Sequence, residues 1–143
     1  MVEMKRDALV AMAKEAMKKA YVPYSKFQVG SALLDSKGNV HLGCNVENAA
    51  YGPTNCAERT ALFRAIADGE APRSFRAIAV IGDTAQPITP CGVCRQVLIE
   101  LCPPDMPVYM ANVRGDITET TVAALLPGAF TQDDLGSDGK RSN

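Results

Sequence analysis

The chain alternates between helical and extended periodicities. Leu9, Met12, Ala13, Ala16, Met17 and Ala20 recur on one face of a 3.6-residue period, which predicts an amphipathic helix ended by Pro23. Phe27 to Leu34 reads as a buried strand, and Ser36-Lys37-Gly38-Asn39 as a turn. Val40, Leu42, Cys44 and Val46 alternate with His41, Gly43 and Asn45, so a second strand closes an antiparallel hairpin. On this reading Cys44 is a buried, inert thiol and His41 a surface residue. Thr54-Asn55 caps a helix from about Cys56 to Ala67, closed by Asp68-Gly69. Phe75 to Ile81 is an apolar strand. Thr89-Pro90 opens a third helix that Pro103-Pro104 stops, Met106 to Val113 is a further strand, and a short helix spans Thr121 to Leu126. Four strands interspersed with helices argue for a mixed sheet covered on both faces. The expected layout is a single domain over residues 1–135, with a polar, disordered tail over 136–143.

Composition narrows the function classes. The 143 residues carry 15 basic and 16 acidic side chains, a net charge of −1, which gives no global pull toward nucleic acid or anionic membrane. No apolar stretch is long enough to cross a bilayer, and the N-terminus lacks a secretory h-region, so a cytoplasmic location is expected. Five cysteines there are metal ligands or reactive thiols rather than disulfide partners, and with one histidine a metal site has to rely on sulfur.

Three of those cysteines fall at helix starts. Cys56 opens the second helix; Cys91 and Cys94, at i and i+3, share a face of the third. Thiolates suit zinc, and helix N-termini stabilise them. Taken alone, the Cys-x-x-Cys pair also fits a redox couple or half of a structural zinc site. Cys102, two turns past Cys94, is too far along the helix to share its metal and is left as a buried thiol. Glu58 has two readings as well. Asn55-x-x-Glu58 is a capping-box pattern, while a carboxylate beside a zinc site is also what general acid–base chemistry requires. The zinc deaminase signature is His-x-Glu followed by Pro-Cys-x-x-Cys, with a three-cysteine variant. Cys56-Ala57-Glu58 followed by Pro90-Cys91-Gly92-Val93-Cys94 has the form of that variant.

From about Ala20 to Leu135 the chain resembles the short-chain, homotetrameric branch of the cytidine deaminases. The resemblance rests on Tyr21-Val22-Pro23-Tyr24-Ser25-Lys26-Phe27, on the stretch from Gly43 to Gly52, on Thr54 to Ala61, on Pro90 to Gln96, and on Leu126-Pro127-Gly128-Ala129-Phe130. Ser31 and Pro53 depart from its commoner residues without touching the chemistry. It implies an α/β fold, a three-layer α/β/α arrangement with a mixed five-stranded sheet. It also implies one zinc per subunit on Cys56, Cys91 and Cys94, with Glu58 moving protons between water and the cytosine ring. Ala57 and neighbouring N–H groups would hold the pyrimidine carbonyl, Asn45 and Glu47 would grip the ribose 3′-hydroxyl, and Phe27 would stack on the base. Tyr51 and Phe130 would reach into a neighbouring subunit's site within a homotetramer. Three thiolates leave the zinc site one negative charge richer than a histidine-containing one. Arg59 is expected to offset this by donating to a thiolate. The implied reaction is deamination of cytidine and 2′-deoxycytidine, with a small nucleoside as substrate and no nucleic-acid or membrane partner. Deamination of a related nucleoside such as an antibiotic, or a non-catalytic zinc or thiol module, are the competing readings.

Overall fold

A computed structural model describes residues 5–135. The expected tail over 136–143 lies outside the described residues. The order is α1 (Arg6–Met17), β1 (Val29–Asp35), β2 (Val40–Cys44), α2 (Ala57–Ala67), β3 (Phe75–Gly82), α3 (Gly92–Leu101), β4 (Pro107–Asn112), β5 (Ile117–Thr121) and α4 (Val122–Leu125), followed by a 3₁₀ turn (Gln132–Leu135). The strands form one sheet in the order β2-β1-β3-β4-β5. Only β3 and β4 run parallel, with α3 as their crossover, so the sheet is mixed. α1 covers one face, packing Leu9 and Ala13 on Ala32, Leu34, Ala79 and Ile81. α2, α3 and α4 cover the other, around Leu33, Leu62, Ile78, Leu98 and Val108. This is the expected three-layer α/β/α architecture.

Three differences from the sequence pattern have physical causes. β5 (Ile117-Thr118-Glu119-Thr120-Thr121) carries one apolar residue, so it shows no apolar run, yet it pairs antiparallel along β4 as an edge strand. Cys44 is half-buried rather than buried, because β2 is the opposite edge. His41 is not a surface residue. It shares a face with Leu33, its side chain is only 10% exposed, and its Nε2 bonds the buried Asp35 Oδ2 at 2.9 Å.

Asp35 also accepts from the Lys37 and Asn39 N–H groups at 2.8 and 2.9 Å, which closes the β1–β2 turn. Burial works to raise this carboxyl, but the His41 bond and the two backbone donors outweigh it and hold it below its ordinary 3.8. A carboxyl depressed in the folded state contributes stability that is present above its unfolded pKa and is lost as pH falls through the folded value. The melting temperature should therefore drop as pH is lowered below about 4. Melts of Asp35→Asn across the same range should show a shallower drop from a lower neutral-pH value.

The close packing of α2 on β2 fixes the site's position. A Cβ at Gly43 would fall on the Ala57 carbonyl and the Ala61 amide, both backbone atoms of α2's first turns. Gly43→Ala should destabilise the protein by about 1–3 kcal/mol through overpacking, read as a lower urea midpoint, and should loosen the helix start that carries Cys56 and Glu58.

Candidate metal centre and active site

The N-termini of α2 and α3 meet at one end of the sheet, beside the carboxyl end of β3, where open α/β sheets commonly place their ligands. Cys56 is the N-cap of α2 and Cys91 the N-cap of α3; both are extended and neither uses its side chain as a cap. Cys94 lies in the first turn of α3 and is fully buried. The three Sγ atoms lie within 4.8 Å of one another, and those of Cys56 and Cys91 are 3.6 Å apart. Thiolates about 2.3 Å from one tetrahedral zinc stand roughly 3.8 Å apart, so the spacing fits that ion. Cys102 is buried at the end of α3, outside this cluster, and burial pushes its thiol up to about 12.

The electrostatics also suit a cation. The hydrogen bond with Cys94, joined by Arg59, outweighs burial and brings the Cys56 thiol down to about 5. The same Cys56–Cys94 bond, with burial, pushes the Cys94 thiol up. Arg59 Nη2 lies 3.4 Å from Cys56 Sγ, pointing into the cluster rather than to solvent. Its Nε is buried with no hydrogen-bond partner among the described residues.

Glu58 does not form the capping box that its spacing allows. With Cys56 as N-cap, Glu58 stands at the second helical position rather than the third, and the Asn55 amide donates to Thr60 Oγ1 instead. The Glu58 side chain is buried and has no cationic partner among the salt bridges of the described residues. Burial, with Cys56 adding to it, raises its carboxyl to about 7.

Phe27, Asn45, Glu47, Tyr51 and Phe130 lie outside the helices that carry the thiols. Phe27 is half-buried over the carboxyl end of β3, where its Cζ would stand 3.2 Å from a Cβ at Gly82. Asn45 is stitched to the strand start, its Oδ1 accepting from Val29 N–H at 2.9 Å and its Nδ2 donating to the Phe27 carbonyl at 2.8 Å. Glu47 accepts from the Tyr24 and Ser25 N–H groups at 3.1 and 3.0 Å and from the Ser25 hydroxyl; these bonds, that hydroxyl's first, hold its carboxyl low. Both side chains therefore brace the loop that carries Phe27. Ser25 has no role in the sequence reading beyond its place in the Tyr24-Ser25-Lys26-Phe27 stretch. Glu47 also borders an open cavity of about 250 Å³ with Tyr24, Ser25 and Tyr51. Tyr51 and Phe130 are exposed, at 87% and 55%.

Comparison with known proteins gives a consistent picture. The cytidine and deoxycytidylate deaminase zinc-binding region matches residues 4–110. A cytidine deaminase of Sporosarcina psychrophila is 59% identical over 129 residues, 90% of this chain and 93% of that one. One from Halalkalibacterium halodurans is 58% identical over 92% of this chain and 98% of its own. Among solved structures, the cytidine deaminase from Burkholderia pseudomallei superposes with a TM-score of 0.88 at 56% identity, covering 89% of this chain and all of that one. The family match and these near-full-length relatives agree with the geometry of the thiol cluster, and the chain belongs to the cytidine and deoxycytidylate deaminase family.

Proposed function

We propose that this chain catalyses the zinc-dependent hydrolytic deamination of cytidine and 2′-deoxycytidine to uridine and 2′-deoxyuridine, a pyrimidine-salvage reaction. The observation that carries the reading is the convergence of three thiols from two helix starts next to a buried carboxylate. Cys56, Cys91 and Cys94 hold one zinc per subunit, which when bound supplies a Lewis acid that makes nearby water more acidic. Glu58 accepts a proton from the attacking water at its carboxylate and delivers it to N3 of the ring. The water oxygen bonds to C4. Glu58 then takes the second water proton from the new C4 hydroxyl and gives it to the 4-amino group; the C4–N bond breaks as the C4 carbonyl forms, and ammonia leaves. One carboxylate serves as base and then acid because both transfers occur at the same place, and burial keeps bulk water from competing.

Ala57 N–H and its neighbours at the start of α2 donate to the pyrimidine carbonyl, favoured by the helix dipole. Phe27 stacks on the base. Asn45 and Glu47 each retain hydrogen-bonding capacity beyond the loop contacts, which they offer to the ribose 3′-hydroxyl. Tyr51 and Phe130, large exposed aromatics, are completed by neighbouring subunits in a homotetramer with shared sites. Five free cysteines, with no disulfide among the described residues, suit a cytoplasmic enzyme. No described helix is long and apolar enough to cross a membrane.

Arg59 neutralises part of the charge of the thiolates through its 3.4 Å contact with Cys56. Arg59→Gln should lower kcat/KM about 10–100-fold, measured beside zinc content so that lost metal is told apart from lost rate. The reading as a whole is tested by following the loss of cytidine's ultraviolet absorbance on adding purified protein, with and without a chelator. Zinc bound without turnover of any free nucleoside would favour a non-catalytic module instead.

A further inference from the structure

One turn of α3 faces two ways. Cys91 and Cys94 look toward the thiol cluster, while the next two residues reach the C-terminal segment. Arg95 Nε donates to the Pro90 carbonyl at 2.8 Å, and Arg95 Nη1 to the Leu125 carbonyl at 3.0 Å. Gln96 Nε2 donates to the Phe130 carbonyl at 2.8 Å. Pro90 immediately precedes Cys91 and is fully buried. Leu125 ends α4, and the residues from 126 to 131 belong to no helix or strand. Arg95 has no carboxylate partner among the salt bridges of the described residues, so its half-buried charge is spent on the two carbonyls. Bonds from a guanidinium are stronger and more directional than neutral ones, and its fork fixes both acceptors relative to one another.

We propose that Arg95 and Gln96 are positioning residues that join the metal-binding turn to the strap 126–130, so that zinc held by Cys91 and Cys94 orders the strap presenting Phe130. This rests on the proposed function, in which Phe130 completes a neighbouring subunit's pocket. The two residues divide the work. Arg95 touches the ligand turn and the end of α4, from which the strap departs. Gln96 touches the strap alone.

The division sets the test, made on the zinc-loaded protein. Arg95→Gln should speed zinc transfer to a chromogenic chelator about 10-fold and speed amide exchange over 126–130. Arg95→Lys, which keeps the charge and loses the fork, should behave like the glutamine variant rather than like the parent. Gln96→Ala should leave zinc transfer at the parental rate, speed exchange over 126–130, and raise KM for cytidine more than it lowers kcat. Gln96 is exposed, so its truncation is tolerated even where the Arg95 variants fail to fold. Parental exchange over 126–130 in Gln96→Ala, or parental zinc transfer in a folded Arg95→Gln, would overturn the link. Zinc transfer and exchange are read without substrate. A protein that shows the coupling but turns over no nucleoside therefore supports the link while refuting the proposed activity.

Discussion

Glu58→Gln should leave the protein folded and loaded with zinc while lowering kcat/KM for cytidine by about 10²–10⁴-fold, the usual contribution of a positioned general acid–base. The expectation follows from where the side chain sits. It is buried in the first turn of α2, two residues past Cys56, and caps no helix. Its carboxylate has been taken out of water with no salt-bridge partner among the described residues, and the nearby Arg59 charge offsets burial only in part, an arrangement that costs stability and is retained where chemistry uses it. Glutamine keeps the shape and removes the ability to accept and return a proton. Removing a buried charge can also raise stability, so a higher melting temperature together with lost turnover would be the clearest signature. Near-parental turnover with zinc retained would return Glu58 to a structural role.

The element order and the thiol cluster were legible in the sequence for different reasons. α1, β1, β3 and α3 announce themselves through apolar periodicity because each packs one clear face or lies wholly inside. β5 does not, since an edge strand with one buried side needs little apolar surface. β2 misled in a more specific way. Its alternation of Val40 and Leu42 with His41 and Gly43 looks like an inside and an outside face, but helices cover both sides. Val40 and Leu42 meet α1's layer, while Gly43 lies under α2 and His41 pairs with Asp35. A glycine where a helix crosses closely and a histidine bonded to a buried carboxylate both look like surface residues to a period-2 rule. At the site, the cysteine spacing is local to helix starts and so survives in sequence. The bracing of the Phe27 loop by Asn45 and Glu47, and the bonds from Arg95 and Gln96 to the distant carbonyls of Leu125 and Phe130, are tertiary and leave no spacing to read.

Cys91→Ala should reduce bound zinc from about one per chain to a small fraction of that and abolish turnover, because a site with an open position has no spare ligand. Cys91 is the informative choice among the three. It is exposed, so truncating it opens no core cavity, whereas Cys94 is fully buried and its loss would destabilise by packing alone. Any fall in stability of Cys91→Ala therefore reports the metal. A zinc held by the three proposed thiolates would tie the starts of α2 and α3 together. The metal-free variant should melt lower than the zinc-loaded parent, and added zinc should move its melting temperature less than it moves that of the chelator-stripped parent. Retention of stoichiometric zinc by Cys91→Ala, measured by elemental analysis after extensive dialysis, would refute the ligand assignment. It would also leave Cys56 and Cys94 short of the three thiolates whose excess charge Arg59 is placed to balance.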